Sequence, residues 1–130
     1  MARIGHVNAS FLGFLSNRTV ANLLSRAEYL IHPCWYEQAS KTILEAMASG
    51  CNVVTSDDAY VVDGETGFFC GQSPESIVAA MQRAKEADLV QVATAAREYV
   101  VANHTLMRAV EHEAEILGNL PWRGGKPCLK

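Results

Sequence analysis

Apolar positions along this chain fall into two patterns. Short continuous runs suit strands, and i, i+3, i+4 spacings suit helices. The run from Val7 to Phe14 predicts a first strand. Ser16 or Asn17 then caps a helix with apolar positions at Val20, Leu23, Leu24 and Ala27. Tyr29 to His32 predicts a second strand, stopped by Pro33. A second helix begins at Ser40 or a neighbour and closes at Gly50, where a left-handed residue is needed. Asn52 to Thr55 predicts a third strand, and Gly67 to Cys70 a short fourth. The loop between them turns at Asp63-Gly64. Ser73-Pro74-Glu75 carries a cap, a proline for the first helical position and an early acid, before a helix expected to bury Ile77, Val78, Met81 and Ala84. A further helix aligns Leu89, Val92, Ala93, Ala96, Tyr99 and Val100, and Asn103-His104-Thr105 breaks it. Leu106, Ala109, Val110 and Leu117 mark a last helix, closed by Gly118. Strands alternating with helices of these lengths predict an α/β fold around a parallel sheet. Phe11, Phe14, Phe68, Phe69 and Tyr99 are expected in its core.

Composition narrows the classes of function. The 130 residues suffice for one domain with a real core, and 49% apolar content is that of a globular chain. A net charge of -3 without a basic stripe argues against nucleic acid as a partner. No apolar run approaches the roughly 18 residues of a membrane span. The start of the chain, with Arg3 and the short patch from Phe11 to Leu15, lacks the core and cleavage site of a signal peptide. Cys34, Cys51, Cys70 and Cys128 form no C-x-x-C pair, and the histidines form no i, i+4 pair. Buried thiols in a reducing cytoplasm are expected, and no metal site.

The candidate chemistry lies between the second predicted strand and the helix after it. Glu37 and Glu45 flank a loop that becomes a helix N-terminus. Such an end presents unpaired N–H groups and partial positive charge, which suits a phosphate. The carboxylates suit sugar hydroxyls. Together they point to a ligand that is part phosphate and part polyol, such as a nucleotide-sugar. In parallel α/β sheets ligands sit at the carboxyl ends of the strands, where the Glu37 loop departs. Trp35 and Tyr36 beside it either stack on a base or pack as core.

The spacing Glu37-x7-Glu45, followed by Ala46-Met47-Ala48-Ser49-Gly50, resembles the E-x7-E motif of group 1 retaining glycosyltransferases with the GT-B fold. Phe11-Leu12-Gly13, His32-Pro33, the segment from Asn52 to Asp57, and Val62-Asp63-Gly64-Glu65-Thr66-Gly67 match further segments of that family in order. The resemblance runs from about Val7 to Leu117. It implies a partial Rossmann-like parallel sheet of about four strands with flanking helices, half of a GT-B C-terminal domain. Residues 1–120 would form this partial nucleotide-sugar-binding domain, and 121–130 a tail.

The resemblance also implies roles. Glu37 is the catalytic candidate, lying against the donor sugar and lending negative charge near the reacting carbon. Glu45 would bind ribose hydroxyls, unless it forms an exposed pair with Lys41. Glu37, Ala39, Ser40, Lys41, Thr42 and Glu45 make up the expected donor-binding set. Lys41 either adds charge for the phosphate or is simply solvated. The family's usual Gly-Phe-Gly-Leu-Pro is replaced here by Gln38 to Thr42, and its Gly-Gly-x-x-Glu loop is shortened to Asp58-Ala59-Tyr60-Val61. Asp57 is expected in capping or a turn. The partners implied are a nucleotide-diphosphate sugar, an acceptor, and an N-terminal acceptor domain on an upstream or separate chain. No metal or other cofactor is implied. The location expected is the cytoplasm, compatible with a position peripheral to the membrane. The preceding strands, with the Arg and Lys that neutralise the diphosphate, have no counterpart, so the chain alone is expected to lack activity. The alternatives are a non-catalytic nucleotide-sugar-binding or assembly module completed by a partner chain, and a remnant without ligand.

Overall fold

The computed structural model describes residues 9–35, 40–56 and 60–119. In chain order the elements are α1 (Asn17–Leu24), β1 (Tyr29–His32), α2 (Lys41–Ala48), β2 (Asn52–Thr55), β3 (Phe68–Phe69), α3 (Pro74–Glu86), α4 (Leu89–Asn103) and α5 (Leu106–Asn119). Among the described residues the sheet has three parallel strands in the order β1-β2-β3. Tyr29 lies opposite Asn52 and His32 opposite Thr55, while Val54 and Thr55 lie opposite Phe68 and Phe69.

Local chemistry explains most boundaries. The Ser16 Oγ accepts from the Thr19 N–H and starts α1. At the end of α2, Gly50 takes φ 76°, the Gly50 N–H donates to the Met47 carbonyl and the Cys51 N–H to that of Ala46. That pair of bonds is a Schellman closure, which satisfies the helix's last carbonyls and hands the chain directly to β2. Ser73 caps α3 through the Ser76 N–H, with Pro74 in the first turn. Asp88 caps α4 through the N–H groups of Val90 and Gln91.

The central strand β2 is buried along its whole length, as a strand covered on both faces must be. Val53 packs with Ile43, Ala46 and Met47 of α2 on one face, and Val54 with Phe68, Ala80 and Ala84 on the other. The helix α4 spans both layers, with Ala96 and Val100 in the first cluster and Val92 in the second.

Four expectations are corrected. Residues 9–14 of the predicted first strand are irregular, Gly13 turns at φ 66°, and Phe11 and Phe14 are exposed, not core. A strand needs a neighbour for its backbone groups, and none runs beside this stretch among the described residues. Val78 faces solvent, and Ala80 takes its place in the buried face of α3. Gly118 does not close α5, which continues to Asn119. Phe69 is partly exposed, whereas Phe68 and the half-buried Tyr99 do join the core.

Candidate functional site

The three strands are parallel, so their carboxyl ends lie on one side of the sheet, where the N-terminus of α2 meets the end of β1. Ser40 occupies the N-cap position there and is 3% exposed, but its hydroxyl makes no cap bond to the helix. Its Oγ instead lies 3.5 Å from His32 Nε2, at the end of β1. The first turn of α2 holds no acidic residue. Among the described residues this helix end therefore has no side-chain acceptor, the local chemistry that favours an anion. Lys41 and Thr42 are exposed in that first turn. Glu45 is exposed one turn further along and does not pair with Lys41, so the alternative of an i, i+4 ion pair does not hold. Four of the six expected donor-binding residues, Ser40, Lys41, Thr42 and Glu45, thus lie on one short helix at the carboxyl end of β1. Glu37 and Ala39 lie outside the described residues, as do Tyr36 and Asp57. Trp35 is 87% exposed, which removes the reading of it as core.

The ends of the strands are laced by side chains where the backbone ladder stops. The Thr55 hydroxyl donates to the His32 carbonyl at 3.1 Å. Ser56 Oγ accepts from the Cys34 N–H and donates to the Cys34 carbonyl, both at 2.8 Å. Gln72 Nε2, from the segment after β3, donates to the same carbonyl at 3.0 Å. In the sequence Ser56 is marked only as part of the segment from Asn52 to Asp57, and Gln72 is not marked at all. Their partner lies 22 and 38 residues away, and no local pattern marks such a contact. His32 Nδ1 is buried without a hydrogen-bond partner among the described residues.

The Asp63-Gly64-Glu65-Thr66-Gly67 segment is a built turn. Gly64 takes φ 80°, and Thr66 Oγ1 accepts from the Val62 N–H at 2.9 Å. Asp63 accepts from the Phe69 N–H at 2.7 Å and pairs with Arg83 at 2.8 Å, while Arg83 also donates to the Phe69 carbonyl. A Cβ at Gly67 would lie 2.9 Å from the Val61 side chain and 3.0 Å from the Val53 carbonyl oxygen. These residues fix β3 against β2 and are engaged within the protein.

Residues 2–87 match the family of glycosyl transferases group 1. The chain belongs to the group 1 glycosyltransferases. The match takes in all three strands, α1 to α3, and every candidate donor-binding position. No curated protein matches the chain. A solved structure, sucrose-phosphate synthase from Thermosynechococcus elongatus, superposes with a TM-score of 0.75 at 23% identity. That similarity establishes the fold, and it covers 84% of this chain but 29% of the synthase. This group 1 glycosyltransferase chain therefore has the α/β architecture of part of a GT-B enzyme. No helix among its described residues is long and apolar enough to cross a membrane.

A groove of this glycosyltransferase chain lies elsewhere among the described residues. It has a volume of about 720 Å³ along α4, against Glu28 and Asn52 at the amino ends of β1 and β2. Its lining is mostly apolar, with Leu89, Val90, Ala93 and Val101. Ligands of parallel α/β sheets gather at the opposite, carboxyl end, so the α2 N-terminus is the better candidate.

Proposed function

We propose that the chain is the donor-binding part of a retaining glycosyltransferase that takes a nucleotide-diphosphate sugar. One observation carries the reading: in a group 1 glycosyltransferase chain, the N-terminus of α2 stands at the carboxyl end of β1 without a cap bond from Ser40 or an acid in its first turn. The first-turn N–H groups and Lys41 offer positive charge to the diphosphate. Ser40 and Thr42 border that position, with Ala39 a small neighbour in the chain. Glu45 accepts hydrogen bonds from the ribose hydroxyls. Glu37, at the start of the motif, lies against the donor sugar, where its charge stabilises an oxocarbenium-like transition state. The helix end takes the electrostatic role that a divalent ion plays in other transferases, so transfer proceeds without a metal.

Calorimetric titration with a panel of nucleoside-diphosphate sugars tests the reading. A hydrogen bond to a charged group contributes about 1.5–3 kcal/mol, so Glu45→Ala weakens donor binding roughly tenfold to a hundredfold. Equal affinity in wild type and variant removes Glu45 from the site. Chelator leaves the activity of the intact enzyme unchanged, and loss of activity restored by manganese would count against metal independence.

A second reading, a non-catalytic module completed by a partner chain, draws on the sheet. Among the described residues β1 pairs on one side only, and the chain spans 29% of the synthase it matches. An upstream reading frame encoding an acceptor domain in the same gene would decide for the transferase.

A further inference from the structure

The groove along α4 combines three properties of a ligand site. Its volume, about 720 Å³, falls within the roughly 300–1,000 Å³ of small-molecule sites. Its walls are apolar and open. Leu89, Val90, Ala93 and Val101 line it, and Val90 and Val101 are 77% and 58% exposed. Apolar surface left exposed beside a groove marks a place where something binds. The third property is a buried polar group with an unused hydrogen bond. Asn52 lines the groove, is only 7% exposed, and its Oδ1 has no hydrogen-bond partner among the described residues. A buried acceptor left unsatisfied costs stability, so such groups are rare in folded proteins. A half-turn of the planar amide exchanges its two ends without changing its shape, so Oδ1 can meet a donor in the groove.

The charges select the ligand. Glu28 and Glu98 line the groove together with Arg97, so two carboxylates stand against one guanidinium. That guanidinium is already engaged, because Arg97 Nη1 donates to the Ala48 carbonyl at 2.7 Å, at the carboxyl end of α2. A helix carries partial negative charge at this end, and Gly50, just beyond it, lines the groove. The free acceptor on Asn52 and the excess of negative charge call for the same group, a positively charged hydrogen-bond donor. The apolar walls call for a hydrocarbon body. We propose that this groove is a binding site for a small monocationic amphiphile, an apolar body bearing one protonated amine. The body lies against Val90, Ala93 and Val101. The ammonium donates to Asn52 Oδ1 and is favoured by the Glu28 and Glu98 carboxylates. The site stands at the amino ends of the strands and does not depend on the transferase reading.

The experiment uses the whole chain, nitrogen-labelled for NMR, with phenethylammonium as the probe. Phenethyl alcohol, hydrocinnamate and methylammonium are the matched controls, which remove the charge, reverse it, and remove the apolar body. Backbone amide shifts in α4 and the side-chain NH2 of Asn52 are followed during titration, and thermal unfolding checks that each variant is folded. We expect saturable shifts at Ala93, Arg97, Val101 and the Asn52 side chain. Phenethylammonium should bind at least about fivefold more tightly than the alcohol or the carboxylate, the factor that one hydrogen bond from a charged donor supplies. Methylammonium should give no saturable shift. Glu98→Gln should weaken the amine about two- to fivefold, as loss of an exposed charge pair does, and leave the alcohol unchanged. Ala93→Phe fills the groove and should abolish binding of both. Absence of saturable shifts in these residues with phenethylammonium overturns the site. Hydrocinnamate or methylammonium bound as tightly as phenethylammonium overturns the ligand class. Unchanged affinity in folded Ala93→Phe overturns the location. If Ala93→Phe does not fold, Val90→Lys decides, because Val90 is exposed and a lysine there sets a competing cation over the groove. Phenethylammonium binding should then fall at least as far as in Glu98→Gln, and unchanged affinity overturns the location. Donor titration is a separate measurement, so failure of the transferase reading and failure of this site are told apart.

Discussion

At the scale of single residues, the glycines and thiols illustrate how a local environment becomes a measurable effect. Gly67 sits where a Cβ would meet the Val61 side chain at 2.9 Å and the backbone carbonyl of Val53 at 3.0 Å. The backbone of the central strand cannot yield as a side-chain tip can. Gly67→Ala is expected to lower stability by about 1–3 kcal/mol, the usual range for overpacking, as read by urea unfolding. An unchanged midpoint would show that β2 has room to shift. Cys51 is fully buried, and burial pushes its thiol above the ordinary value of 9.0. A thiol whose folded pKa is raised keeps its proton longer in the native state than in the unfolded chain. Its contribution to stability is complete below pH 9 and is lost as pH rises from there through the folded value. Cys70 shifts the same way, from burial first and then from the nearness of Cys34. Stability measured between pH 7 and 10.5 should therefore fall at the alkaline end, and the fall should be shallower in Cys51→Ala. Parallel curves for the two proteins would refute the linkage.

At the scale of elements, α2 presents two different faces. Ile43, Ala46 and Met47 are fully buried against β2, while Lys41, Thr42 and Glu45 remain exposed on the other side. The spacing of three and four residues separates them cleanly. Truncating Ile43 to alanine is expected to cost about 2–5 kcal/mol, a lost side chain plus a cavity. It should weaken donor binding only to the extent that the protein unfolds. Substitutions at Glu45 should do the reverse, and measuring unfolding and titration on both variants tests that separation. The Schellman closure at Gly50 ties the helix end to β2, so the same helix is fixed at its C-terminus by backbone bonds and left open at its N-terminus. The helix α5 shows the opposite case. It has an apolar stripe that includes Leu106, Val110 and Leu117, yet none of its residues is buried.

At the scale of the whole molecule, the chain spans 29% of the length of the synthase it resembles. Transfer requires donor and acceptor in a near-attack geometry, and that orientation is worth roughly 7–11 kcal/mol of barrier. These 130 residues by themselves are expected to give no detectable turnover when purified and assayed for nucleotide release across donors and mixed acceptors. Clear turnover abolished by Glu37→Ala would establish a self-sufficient enzyme instead.

The order of elements, most of their boundaries and the position of the motif helix were legible in the residues. Ser16, Ser73, Asp88 and Gly50 act through hydrogen bonds to groups within five positions of themselves, so the information for them is local. The helix read from Ser40 to Gly50 carries Lys41 and Glu45, as α2 does, whereas Asn52 and Thr55 at the two ends of β2 are buried because layers cover both faces of that strand. Other features were decided by tertiary structure alone. Residues 9–14 have the composition of a strand but, among the described residues, no neighbouring strand to receive their backbone groups, so pairing, not propensity, settles their state. The bonds from Ser56 and Gln72 to Cys34 join residues 22 and 38 positions apart. A contact over such distances exists only once the sheet has brought three strand ends together, and that is why composition and periodicity leave it unseen.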